Sequence, residues 1–320
     1  MLSGITITCF AASYTITLLL EISRLFFRVS VRMAVMVGFM LAGLFTHTVH
    51  LYYQATRVTS GGVPLSDWYD WCLLAAWVLA AVYLSLLLRR PQASSGLFIL
   101  PLILILIAIA YVARGLEPFP RSEAIDRWGM LHGISLLLGT IVVMLGFAAG
   151  VMYLIQSYRL KHKMPSRQGL KLPSLELLQS INEQALLYSS GLLALGVISG
   201  IIINWVKHQN EGDYLPWTDP VVWSSGILFL WVVIASIFEF FYKPARQGRK
   251  VAYLTVASFS FLCLVLAVVL FGPSQHASDR DASLPEPSSQ AVSSRAYLAA
   301  SRQTMASLSF SLGDEGGEQP

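Results

Sequence analysis

The sequence predicts an all-α protein: a polytopic transmembrane helical bundle of about eight spans with both termini extracytoplasmic. Three observations lead there. Hydrophobic residues make up 55% of the 320-residue chain and charged residues only 12%, about half the charged fraction of an ordinary soluble domain. The apolar residues fall in unbroken blocks, such as the run from Ile5 to Leu20 that carries no charge. The basic residues gather in every second loop between those blocks.

A block of ~20 apolar residues crosses a bilayer as a helix. In hydrocarbon only a helix or a closed barrel satisfies its own backbone, and these blocks lack the alternating polarity of barrel strands. The expected spans cover 3–22, 33–54, 71–88, 96–114, 131–157, 185–206, 221–242 and 251–271. No Lys or Arg precedes the first block, and Arg24 and Arg28 follow it. That order describes a first helix with its N-terminus outside rather than a secretory leader.

The loops form two sets. One holds Arg24, Arg28 and Arg32, then Arg89 and Arg90, then Arg159, Lys161, Lys163, Arg167 and Lys171, then Lys243, Arg246, Arg249 and Lys250. The other holds Arg57, then Arg114, Arg121 and Arg127 offset by Glu117, Glu123 and Asp126, then Lys207. By the positive-inside rule the first set is cytoplasmic. The net charge of +4 therefore orients the chain in a lipid bilayer and is no footprint for nucleic acid. Residues 1–272 form the membrane domain. From 273 to 320 the composition turns to Ser, Gln, Ala, Pro and Gly, which reads as a disordered extracytoplasmic tail with too little to bury.

Cys9, Cys72 and Cys263 lie in or beside apolar blocks and form no CxxC pair, so they read as small core hydrophobes. Gly146–Gly150 and Gly196–Gly200 put small residues four apart on consecutive spans, which reads as close helix packing. The acids near span ends, Glu21 and Glu239, form no intramembrane cluster, and no inverted repeat is evident. A secondary transporter of another solute is therefore a lesser reading.

The histidines carry the sharper signal. His47, His50, His132, His208 and His276 all fall at the outer face, and only His162 is cytoplasmic, beside Lys161 and Lys163. A histidine singly is more often a hydrogen-bonded or interfacial residue, yet histidines in spans are functional candidates. His47 and His50 share a helix face three residues apart, so one suits ligation and the other support. The outer loop from Trp205 through Trp217, Asp219 and Pro220 to Trp223 adds aromatics and an acid. Trp there is ordinary for a membrane interface, but the set also suits a flat, apolar, anionic ligand such as haem, whose iron takes axial imidazoles.

Four stretches then resemble a known family. These are Leu131-His132-Gly133 with the following Gly150-Val151-Met152-Tyr153 and Arg159, the Lys171-Leu172-Pro173-Ser174 lead into a Gly-rich span, the Trp217-Thr218-Asp219-Pro220 loop with Trp223 and Trp231, and Gly248-Arg249-Lys250 opening the last span with His276 beyond it. Over residues 131–277 their order resembles the cytochrome c assembly proteins, the CcsA/CcmC/HemX-like membrane haem-handling family. The resemblance implies a haem-handling protein of c-type cytochrome biogenesis in the inner or cytoplasmic membrane, holding haem b at the outer face for an apocytochrome c. It implies a haem-binding or transfer component of a cytochrome c synthase complex, rather than an enzyme alone, with a partner assembly protein in the membrane. His132 and His276 are similar to the two histidines that flank the family's tryptophan-rich loop and ligate haem iron. Trp205, Trp217, Asp219 and Trp223 stand where the loop motif falls, and His47, His50 and His208 complete the candidate cofactor-binding set. Val221-Val222 replaces the family's charged pair, and the loop is sparser in tryptophan, which leaves a HemX-like regulatory or scaffold protein of haem biosynthesis as the alternative.

Overall fold

A computed structural model of the full chain describes residues 7–27, 31–57, 67–114, 127–163, 170–210, 219–241 and 249–271. Among the described residues there are eight helices and no strand. They are α1 (Ile7–Ser23), α2 (Arg32–Arg57), α3 (Trp68–Arg89), α4 (Gly96–Ala113), α5 (Arg127–Lys161), α6 (Leu175–Asn210), α7 (Pro220–Phe241) and α8 (Arg249–Phe271). Each expected span has its helix, in order. Six of them, α2 to α6 and α8, are long and apolar enough to cross a membrane, while α1 and the 222–238 part of α7 are shorter apolar helices. The chain is a multi-pass membrane protein built as a helical bundle. The predicted tail beyond 272 lies outside the described residues.

The clearest departure from the sequence reading is the start of α6. The helix begins at Leu175, ten residues before the expected start at 185. The residues Leu175-Glu176-Leu177-Leu178-Gln179-Ser180 are too polar for a hydrocarbon span, but they alternate at helical spacing, and Leu178 is fully buried. Ser174 opens the helix: its Oγ accepts the Leu177 N–H at 3.4 Å, a capping arrangement. Helix α4 tolerates an internal proline because Pro101 sits in its second turn, where a single backbone bond is lost.

The helices close into two rings of four. In the first, α1 packs on α2, α2 on α3, α3 on α4, and α4 back on α1. In the second, α5 packs on α6, α6 on α7, α7 on α8, and α8 back on α5, with α6 also touching α8. Contacts of α5 with α3 and α4 join the rings, and one apolar core runs through both, from Phe10, Met40 and Leu79 to Met144, Val232 and Leu262. Without a hydrophobic drive between helices in lipid, close packing and interhelical hydrogen bonds hold such rings. Trp77 donates to Thr48 Oγ1 at 2.8 Å across α2–α3, and Trp231 donates to Ser258 Oγ at 3.1 Å across α7–α8. Thr255 donates to the buried Asn182 Oδ1 at 3.1 Å across α6–α8. Gly150 brings α5 close to α8: a β-carbon there would lie 2.6 Å from Thr255 Oγ1 and 3.1 Å from the Ala252 carbonyl.

One end of the bundle collects the basic loops. Arg24 donates to the carbonyls of Gln92 and Ala93, Arg159 to Leu170 O at 3.2 Å, and Arg249 to Ser157 Oγ at 2.8 Å. Ser94 N–H donates to Lys171 O at 2.8 Å, Lys171 N–H returns to Ser94 Oγ at 3.3 Å, and Lys171 Nζ reaches Gln92 Oε1 at 3.3 Å. The loops that the sequence assigns to one side of the membrane thus meet at one end, the basic end.

Candidate functional site

The opposite end receives His47, His50, His132 and the end of α6 that carries His208. Helix α2 runs from Arg32 at the basic end to His47 and His50 at the other, while α3 and α5 start there. Gly133 on α5 lies against Trp71 in the first turn of α3, where a β-carbon would stand 2.6 Å from the indole. Helix α8 runs antiparallel to α5, with Arg249 at Ser157, Thr255 at Gly150 and Phe259 stacked on Phe147 at 4.0 Å. It therefore ends at the histidine end, at Phe271, five residues before His276 in the sequence. His276, Trp217 and the loop 211–218 lie outside the described residues.

His132 sits in the second turn of α5 and is half-buried against α6. Its Nδ1 lies 2.7 Å from the carbonyl of Gly196. A carbonyl only accepts, so Nδ1 carries the proton, and in the neutral ring Nε2 is then the acceptor nitrogen. The ring rests on Gly200, where a β-carbon would be 2.9 Å from His132 Cε1 and 3.0 Å from Nδ1. The Gly196–Gly200 pair, which the sequence offers only as a packing motif, thus supplies both the acceptor and the space for this imidazole. Orientation of a ligating imidazole by a backbone carbonyl at its other nitrogen is the usual outer-shell arrangement of metal-bound histidine. The donor chemistry of His132 fits an axial ligand of haem iron.

His47 and His50 belong to the first ring and are held differently. His47 is fully buried and stacked on Phe10, with ring centroids 4.1 Å apart and planes 2° from parallel. Tyr14 Oη lies 3.3 Å from its Nδ1. His50 is 5.5 Å from the same Phe10 ring, and its Nε2 lies 2.9 Å from Tyr69 Oη. Arg114 donates to that hydroxyl at 3.1 Å and lies over the Tyr69 ring at 5.0 Å. Phe10, Tyr14, Tyr69 and Arg114 were not legible as partners, because nothing in α1, α3 or α4 marks those residues until the helices are placed side by side.

The tryptophan segment brackets the start of α7. Asp219 is buried and precedes Pro220, the first residue of α7; its carbonyl accepts the Trp223 N–H at 3.1 Å. Proline at the first helical position, after a residue type favoured as N-cap, is the expected opening of a helix. Trp223 and Trp205 are 62% and 63% exposed, so both offer broad aromatic surface at this end. His208 lies in the last turn of α6. His162 lies at the basic end, edge-on to Tyr158 at 4.2 Å, away from the other histidines. No group of three or more His, Cys, Asp and Glu able to hold a bare metal ion occurs among the described residues.

Comparison with known proteins follows the same outline. Residues 65–274 match the family described as cytochrome C assembly protein. The chain is 22% identical to a cytochrome c biogenesis protein CcsA of Trieres chinensis over 251 residues, covering 68% of this chain and 78% of the relative. It is 23% identical to the CcsA protein of Pyropia yezoensis over 265 residues, covering 69% and 81%. No solved structure matches. The matched segment runs from the start of α3 to the end of α8 and takes in His132, Gly196, Gly200 and Asp219 together. It covers well over half of the chain, and the chain belongs to the cytochrome c assembly protein family.

Proposed function

We propose that this protein handles haem in c-type cytochrome biogenesis, holding it at the outer face of the cytoplasmic membrane for delivery to an apocytochrome c. The observation that carries the reading is the His132 imidazole, fixed through Nδ1 on the Gly196 carbonyl with Nε2 as its acceptor nitrogen. Family membership supports the pathway, and the basic loops support the orientation, since the positive-inside rule puts them in the cytoplasm and the histidine end outside.

His132 and His276 are the proposed axial ligands. Trp217, Trp223 and Trp205 offer aromatic walls, and Asp219 joins the loop to the start of α7. His208 is the competing ligand on the same side. His47 and His50, clasped by Phe10, Tyr14 and Tyr69, take the supporting role in the first ring. When bound, haem b supplies the iron for these imidazoles and is itself the cargo. A partner membrane protein of the assembly system presents the apocytochrome.

The test is the visible spectrum of the purified protein. A Soret band of bis-histidine character is expected, and His132→Ala and His276→Ala should each reduce haem retention or shift the band, with exogenous imidazole restoring it. His162→Ala should leave the band unchanged. A band untouched by both ligand variants but lost in His208→Ala would overturn the assignment. A colourless protein from cells that make haem would favour the HemX-like regulatory role.

A further inference from the structure

The first ring contains a second polar site that has no part in the haem reading. It lies at the basic end, where α1, α2, α3 and α4 converge. Glu21 in the last turn of α1 is 1% exposed, and neither carboxyl oxygen has a hydrogen-bond partner. Tyr83 on α3 is also 1% exposed, and its hydroxyl has none either. Tyr83 presses on Gly96, the first residue of α4, where a β-carbon would be 2.8 Å from Tyr83 Cζ, so the phenol reaches bare backbone there.

The hydrogen bonds of Arg24 and Arg32 go to main-chain carbonyls rather than to Glu21. Arg24 sends its guanidinium N–H groups to the Gln92 and Ala93 carbonyls and approaches Glu21 only to 3.8 Å, an ion pair beyond hydrogen-bond length. Arg32 donates to the Phe27 carbonyl at 2.6 Å. A buried polar group without a partner costs roughly 1–3 kcal/mol, and native structures satisfy such groups with protein or ordered water. Arg24 ties Glu21 to the Gln92 and Ala93 carbonyls, and Tyr83 meets Gly96 just beyond them, so the three atoms fall at one junction, the α3–α4 turn. The Arg24 guanidinium 3.8 Å from the carboxylate opposes a metal cation. A neutral donor that also accepts meets the need, and water takes about three hydrogen bonds in such places.

We propose that Glu21 and Tyr83 bind ordered water between them, and that this hydrated pair pins α1 to α3 and α4. The protein supplies its own control. Tyr14 is as deeply buried in the same ring, but its hydroxyl has His47 as partner.

The experiment is radiolytic hydroxyl-radical labelling of the protein in lipid nanodiscs, with a bulk radical scavenger present and tyrosine oxidation read by mass spectrometry. Radicals made from water bound beside a side chain label it in place, so Tyr83 should react several-fold faster than Tyr14. Glu21→Leu should slow Tyr83 towards the Tyr14 rate, and Glu21→Gln, which still binds water, should preserve the difference. Equal slow labelling of Tyr83 and Tyr14 in the unmodified protein would overturn the proposal without any variant. So would a Glu21→Leu protein that folds and labels Tyr83 as fast as before.

Discussion

His132 on α5 and Gly196 on α6 are joined by a 2.7 Å hydrogen bond from the imidazole Nδ1 to the main-chain carbonyl. The contact makes the orientation of the ring a property of helix packing rather than of a loop. A glycine four residues further along α6 leaves the room in which the ring lies.

Gly200→Ala should therefore act on His132 without replacing any proposed ligand residue. Its β-carbon would lie 2.9 Å from the imidazole and push the ring from the Gly196 carbonyl. A loss of haem retention of several-fold is expected, read as Soret absorbance per protein. Gly226→Ala, with nothing within 4 Å of its β-carbon, should change nothing. An unaltered spectrum in Gly200→Ala would show that the ring's position is not what holds the haem.

Gly150→Ala should destabilise the second ring. The new methyl meets Thr255 Oγ1 at 2.6 Å and the Ala252 carbonyl at 3.1 Å, and main chain cannot turn aside. Overpacking of this kind costs about 1–3 kcal/mol. Thermal unfolding in detergent should show a lower midpoint. Gly191→Ala, in open space, should hold or raise it, because alanine favours a helix interior by up to about 1 kcal/mol over glycine.

The eight helices were legible because apolar blocks and basic loops are one-dimensional signals. Arg24, Arg159, Lys171 and Arg249 met at one end as their loop assignments require. The early start of α6 was hidden, since Glu176, Gln179, Asn182 and Glu183 break the hydrophobic block by which a span is recognised. The candidate site was only half legible. His132 stood out by residue type, but Gly196 acts through its carbonyl and Gly200 through the absence of a side chain, and neither leaves a mark that distinguishes it from a packing glycine. The nest around His47 depends on Phe10 and Tyr14, which are ordinary apolar-face residues of α1 until α2 is laid against it.

The membrane orientation should be open to single-cysteine labelling in a background without Cys9, Cys72 and Cys263. An impermeant thiol reagent added from outside should modify a cysteine introduced at Gly212 and spare one at Gln168. The reverse pattern would invert the bundle and with it the proposed face for haem.

Truncation after Ser278 should leave expression and membrane insertion unchanged. The compact unit that contains every described helix runs from Met1 to Ser278, and the composition beyond it offers little to bury. A collapse of the membrane-inserted yield would instead assign the tail a packing role.

The two rings resist separation unequally at their two ends. At the basic end Ser94 and Lys171 exchange hydrogen bonds across the α3–α4 turn and the lead into α6. Such bonds fix register and direction. At the histidine end Trp71 lies on the bare backbone of Gly133, an apolar contact that resists compression more than sliding. The shared apolar core holds the rings together along their length, and the polar exchange at the basic end sets the register between them.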